Sequence, residues 1–140
     1  MARILLIDDD DLVGQALKLH LEAGGHEVAL THHGGEGLRA FEQGRFDLVL
    51  TDIFMPEVEG IETIRRLRLI SRKVSIIAMT GGPIAPAHAR KDAVPDYLRM
   101  AHSLGASRTI RKPFSARQLL ALVDECLELE NTTAATKDRR

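Results

Sequence analysis

With a single cysteine, Cys126, the 140-residue chain can form no intramolecular disulfide, which fits a reducing compartment. No apolar run approaches the roughly 20 residues needed to cross a bilayer. The formal net charge is only −1, so bulk charge gives no attraction to nucleic acid or to an anionic membrane. Tryptophan is absent and Tyr97 is the only tyrosine. What remains is an ordinary soluble composition, 44% apolar and 28% charged, neither fibrous nor disordered. The length fits one domain of about 100–150 residues. Met1-Ala2-Arg3 runs into Ile4-Leu5-Leu6-Ile7 and then four aspartates. That reads as a buried strand, too short and too acidic afterwards for a signal peptide. Asn131-Thr132-Thr133 matches a glycosylation sequon but is read as chance in a cytoplasmic chain.

Short apolar runs alternate with longer amphipathic stretches. The runs are Ile4–Ile7, Val28–Leu30, Leu48–Leu50, Val74–Met79 and a weaker one at Thr109-Ile110. Between them, Leu12, Ala16, Leu19 and Ala23 recur at helical spacing before Gly24-Gly25. Leu38 and Phe41 mark a second helix ending at Gly44, and Ile61, Ile64, Leu67 and Leu69 a third between Gly60 and Ser71. Leu98, Ala101 and Leu104 mark a fourth, begun near Pro95-Asp96 and closed by Gly105. Ser115-Ala116-Arg117-Gln118 is a capping box opening the last helix, whose stripe is Leu119, Leu122, Val123, Cys126 and Leu127. Five strands alternating with five helices predict an α/β fold, a doubly wound five-stranded parallel sheet covered on both faces. The folded domain is expected over 1–130, with 131–140 a polar, frayed tail. Gly81-Gly82-Pro83-Ile84-Ala85-Pro86 reads as a long loop after the fourth strand, and such loops are usually functional or disordered.

In open parallel sheets ligands bind beyond the carboxyl ends of the strands. Those ends carry Asp8, Asp9, Asp10 and Asp11 after strand one, Asp52 after strand three, Thr80 after strand four, and Lys112-Pro113 after strand five. Singly, each has an ordinary explanation. Asp10 or Asp11 caps the first helix; Asp8 and Asp9 could be solvated loop acids; Thr80 could be a strand-end hydroxyl and Lys112 a surface lysine. Jointly they point to one rim of carboxylates, a hydroxyl and an ammonium. Clustered carboxylates repel unless a cation neutralises them, and hard oxygens suit Mg²⁺. A carboxylate can also act as a nucleophile toward phosphorus, giving an aspartyl phosphate. Such transfer needs positioning and charge neutralisation more than proton chemistry.

At these residues the sequence resembles the receiver domains of two-component response regulators, the chemotaxis regulator being the minimal example. Leu6-Ile7-Asp8-Asp9-Asp10 is similar to the family's first acidic motif, and Leu48–Gly60, with Met55-Pro56, to its phosphorylation segment. Thr80 and Lys112-Pro113-Phe114 match the hydroxyl and Lys-Pro-Phe positions. The resemblance implies a (βα)5 flavodoxin-like fold. It implies a switch that accepts a phosphoryl group on Asp52 with Mg²⁺, catalysing only its own phosphorylation and dephosphorylation. Asp9, Asp52 and the Phe54 carbonyl would bind the metal, and Asp8 would act through water. Lys112 and Thr80 would engage the phosphoryl group, and Lys112–Pro113 would be cis. A histidine kinase or phosphotransfer protein would be the donor, a second protein the target, and the chain a monomer or weak homodimer. Neither nucleic acid nor membrane is an expected partner, because only about ten residues follow the last helix, unless the chain is a piece of a larger regulator.

Two features depart from the family pattern. Thr109 occupies the position of the family's aromatic switch residue and has no ring to swing, and the stretch from Thr80 to Lys112 is longer than usual. Tyr97 in that stretch is a packing residue or part of a partner surface. Two other readings compete. One is a receiver-like module that no longer uses phosphate, against which the intact Asp9, Asp52, Thr80 and Lys112 argue. The other is an aspartate-nucleophile phosphatase of the haloacid-dehalogenase type, which Asp8-x-Asp10 matches superficially but which needs a cap and more chain. His26, His32 and His33 lack metal-site spacing, and Gly34-Gly35-Glu36-Gly37 is not a dinucleotide fingerprint but the start of a helix.

Overall fold

A computed structural model describes residues 2–53, 59–80 and 101–138, with side chains over 2–53, 60–80 and 101–128. Five strands, β1 (Arg3–Ile7), β2 (Glu27–Thr31), β3 (Leu48–Asp52), β4 (Ser75–Thr80) and β5 (Arg108–Arg111), pair in parallel in the order β2-β1-β3-β4-β5. The helices are α1 (Asp11–Ala23), α2 (Gly34–Gln43) and α3 (Glu59–Ile70), then the helical residues 101–104, α4, and finally α5 (Ala116–Asp138).

Successive strand side chains point to opposite faces, and here both faces are covered. Ile4, Leu6, Leu48, Leu50, Ile77 and Met79 pack with Leu17 and Leu21 of α1 and Leu119, Val123 and Cys126 of α5. Leu5, Ile7, Val49, Ile76 and Ala78 pack on the other side with Ile61, Ile64 and Leu67 of α3, Ala101 of α4, and Leu38 and Phe41 of α2. That is why these strands read as continuous apolar runs instead of alternating ones.

The helix boundaries follow local chemistry. Asp10 is the N-cap of α1, its carboxylate accepting from the Val13 N–H at 3.2 Å. Of the two acids that could have capped, Asp11 instead starts the helix and meets His32 Nε2 at 2.8 Å. Gly25 ends that turn at φ +93, and Gly105 closes α4 at φ +121, left-handed conformations that glycine adopts at little cost. The capping box forms reciprocally: the Ser115 N–H donates to Gln118 Oε1 at 2.9 Å and the Gln118 N–H to Ser115 Oγ at 3.1 Å. Gly34 begins α2, whose N-cap is His33.

The structure adds three points to the sequence reading. The face of α1 turned to the core carries Gly14, Leu17 and Leu21, whereas Leu12 and Leu19 are 82% and 68% exposed. Leu69 of α3 is likewise exposed. The backbone of 131–138, expected as tail, continues helix α5. The Gly81–Pro86 segment, the start of the fourth helix and Tyr97 lie outside the described residues.

Candidate functional site

Sheet order reverses about β1, which pairs with β2 on one side and β3 on the other. Right-handed crossovers then place α1 and α2 on opposite faces, leaving a crevice at the carboxyl ends of β1 and β3. Asp8 and Asp9 follow β1 and Asp52 ends β3, so topology alone sets these acids side by side. One carboxylate oxygen from each of Asp8, Asp9 and Asp52 lies within 4.8 Å of the others.

The Asp8 carboxylate is fully buried and is fixed by the Asp10 N–H, which donates to Oδ1 at 2.9 Å. Its own N–H donates to the Thr31 carbonyl at 3.1 Å, holding the β1 end against β2. From the far edge, the Lys112 N–H bonds the Thr80 carbonyl at 3.0 Å, and its ammonium reaches Asp52 Oδ2 at 2.7 Å and Asp8 Oδ2 at 3.1 Å. The Lys112–Pro113 peptide is cis. Thr80 is buried at the end of β4, with its hydroxyl 3.4 Å from the Ile110 carbonyl. Thr109 sits in β5 opposite Ala78, half-buried.

The electrostatics follow from this packing. Burial pushes the Asp8 carboxyl above its ordinary range, against the Asp10 N–H and Lys112, which favour ionisation. Burial also opposes the Lys112 charge, but Asp52 and Asp8 outweigh it and hold the ammonium above its usual value. Among the described residues one cation therefore faces three carboxylates. The residual negative charge and the hard-oxygen donors fit a divalent cation with oxygen preference. Asp9 is the exposed member of the cluster, open to solvent and to ligand waters.

The structure thus brings Asp8, Asp9, Asp52 and Lys112 together and puts Thr80 on the same rim; Phe54 lies outside the described residues. Reading the residues missed that Lys112 bridges Asp8 as well as Asp52, and that the Asp10 N–H orients Asp8. An Asp two residues before a helix cap is the signal that could have found the second. The histidines are occupied elsewhere. His26 Nδ1 accepts from the Ala2 N–H at 3.3 Å, and His32 and His33 pair with Asp11 and Glu36. Among the described residues the metal-capable cluster is the aspartate one.

Comparison with known proteins agrees with this fold. A family profile described as Response regulator receiver domain matches residues 4–124. A Bacillus subtilis protein, "Uncharacterized transcriptional regulatory protein YkoG", is 33% identical over 92% of this chain and 52% of its own length. "Transcriptional regulatory protein PcoR" of Escherichia coli is 30% identical over 97% of this chain and 56% of its own. The chain therefore spans about half the length of these curated relatives. Among solved structures, a response regulator receiver domain protein from Clostridium thermocellum superposes with a TM-score of 0.82 at 30% identity, covering 95% of this chain and 99% of that one. A CheY-like receiver domain protein from Methanospirillum hungatei also gives 0.82, at 29% identity over 95% and 98%.

Proposed function

The chain belongs to the response regulator receiver domain family, and on that premise we propose that it is a phosphorylation-dependent switch of two-component signalling with Asp52 as acceptor. One observation carries the assignment. Asp52 is the carboxylate that ends the central strand β3, within 2.7 Å of Lys112 and clustered with Asp8 and Asp9. Asp8 is less suited, being fully buried with its two oxygens engaged by Asp10 N–H and Lys112. The Asp8-x-Asp10 phosphatase reading also loses its second acid, because the Asp10 carboxylate caps α1.

The donor is a phosphohistidine of a histidine kinase or phosphotransfer protein. An Asp52 carboxylate oxygen attacks phosphorus, the P–N bond breaks, and the departing imidazole takes a proton. Lys112, already paired with Asp52, swings its ammonium toward the equatorial phosphoryl oxygens, where a preorganised cation is worth most. The Thr80 hydroxyl exchanges the Ile110 carbonyl for a phosphoryl oxygen. Asp8 stays fixed by its Asp10 bond and keeps Lys112 in reach. Receiver domains generally bind Mg²⁺ at an acidic pocket; here Asp9 and Asp52, Asp8 through water, and the Phe54 carbonyl would hold it. When bound it neutralises charge on the transferring group. Attack of water on the acyl phosphate later returns Asp52 and inorganic phosphate, so the protein turns over only itself. Output runs through a protein partner, or through further domains where the chain is part of a longer regulator.

The test is direct. Acetyl phosphate or phosphoramidate with Mg²⁺ should add one phosphoryl mass, mapping to Asp52 after borohydride reduction. Normal labelling of Asp52→Asn would overturn the assignment.

A further inference from the structure

Four consecutive carboxylates, Asp8, Asp9, Asp10 and Asp11, crowd the turn from β1 into α1. Like charges this close repel. Three of the four have partners. Asp8 is engaged by the Asp10 N–H and by Lys112, and Asp10 caps α1 through the Val13 N–H. Asp11 reaches sideways to the end of β2, where His32 Nε2 lies 2.8 Å from its Oδ1. Among the described residues Asp9 alone of the four has no hydrogen-bond or ion-pair partner, and it is the exposed member of the cluster.

Among the described residues His32 is the side chain that ties this turn to β2. The two strands pair in register up to Ile7 and Thr31, and the last rung is the Asp8 N–H donating to the Thr31 carbonyl at 3.1 Å. Beyond it the backbone ladder ends, because Asp11 has already entered α1. His32, the residue after Thr31, continues the attachment with its ring, 21 positions from Asp11 in sequence. An ionised carboxylate only accepts, so Nε2 carries the proton and donates. The adjacent His33 serves another element: its Nδ1 accepts from the Glu36 N–H as the cap of α2.

We propose that His32 is a positioning residue for the Mg²⁺ site: by holding Asp11 against the end of β2 it fixes the turn that presents Asp9 to the cation. The inference rests on the Mg²⁺ reading given above and names a residue outside the ligand set. A ligand is aimed by the bonds around it, and Asp9 has none of its own, so the bonds on either side of it in the turn do the aiming. Asp8 supplies one side, fixed from the sheet. Asp11 and His32 supply the other. Their contact is 42% and 66% exposed, so its effect is modest.

Mg²⁺ titrated calorimetrically into the full, unphosphorylated chain tests it. His32→Ala should weaken Mg²⁺ binding by about fivefold, less than the roughly tenfold or more of a partner that touches a ligand directly, with unchanged circular dichroism. His32→Gln, whose amide nitrogen can stand where Nε2 stands, should restore most of the affinity. His33→Asn, which keeps a capping side chain on α2, should bind as the wild type does. In an Asp11→Ala background His32→Ala should have little further effect, since the two residues act as one contact. Phosphorylation by acetyl phosphate should need about fivefold more Mg²⁺ in His32→Ala, while its rate at saturating Mg²⁺ matches the wild type. Unchanged affinity in His32→Ala, no recovery in His32→Gln, or an equal loss from His32→Ala with and without Asp11 overturns the proposal. A wild type that binds no Mg²⁺ overturns the cation reading and this inference with it, whereas wild-type binding indifferent to His32 overturns the positioning role alone.

Discussion

The Lys112 ammonium lies 2.7 Å from the Asp52 carboxylate although the residues are 60 positions apart in sequence. Asp8, 104 positions from Lys112, holds the same ammonium at 3.1 Å. This lysine joins the end of β5 to the ends of β1 and β3, and its charge offsets part of the repulsion within the aspartate cluster.

Removing that charge should therefore cost stability. Lys112→Met leaves Asp8 and Asp52 facing each other, buried. Breaking a buried pair costs 3–5 kcal/mol, and the 20% exposure of the Lys112 side chain reduces the expectation to about 1–3 kcal/mol. Because the folded-state ammonium is held above its usual value, its contribution is full below the unfolded value of about 10.4. It is lost as pH rises through the higher folded value. Urea unfolding of both proteins from neutral to alkaline pH measures this, and a stability difference that persists unchanged through that rise contradicts it.

Asp8 predicts the opposite arm. Its carboxyl is raised by burial, so its ionised form weakens the fold. That penalty is full above the folded value, shrinks as pH falls through it, and is gone below the unfolded value of about 3.9. The wild type should therefore gain stability relative to Asp8→Asn on going from neutral toward acid. A pH-independent difference would show that burial of this charge is compensated. Mg²⁺ affinity of the wild type should fall over the same interval, because proton and cation compete for Asp8.

Neighbouring aspartates should behave differently. Asp9→Ala removes an exposed donor of the cluster and should abolish measurable Mg²⁺ binding by calorimetry with little loss of stability. Asp10→Ala removes the α1 cap and should cost about 1 kcal/mol, while Mg²⁺ binding is retained. Equal loss of metal binding in both would reassign the cluster.

Gly60 carries the close approach of α3 to the site. A Cβ there would stand 2.5 Å from the Asp52 carbonyl oxygen and 2.7 Å from the Ile53 carbonyl carbon. These are backbone atoms that cannot step aside. Gly60→Ala should cost about 1–3 kcal/mol and slow phosphorylation by acetyl phosphate through displacement of Asp52. Gly35→Ala, with nothing within 4 Å, should be neutral or stabilising by up to about 1 kcal/mol. Equal melting temperatures for the two variants would refute the packing argument.

The sequence by itself determined the α/β class, the strand ends that carry Asp8, Asp9, Asp52, Thr80 and Lys112, and the Ser115–Gln118 cap. These depend on local pattern: apolar runs fix strands, and in a parallel sheet whatever follows each run falls on one rim. Tertiary structure decided the rest. Periodicity showed α1 to be helical through Leu12, Ala16, Leu19 and Ala23, and only docking against β2, where Gly14 meets Leu30, chose Leu17 and Leu21 for the core. Arg68, unremarkable among the basic residues of α3, donates to the Gly105 carbonyl at 2.7 Å and to Ser107 Oγ at 3.1 Å, clasping the end of α4. These two partners lie 37 and 39 positions away, and are a backbone oxygen and a serine that carry no sequence signature. The bridge from Lys112 to Asp8 was hidden for the same reason, since charge pairing between distant residues is set by the chain path and not by spacing.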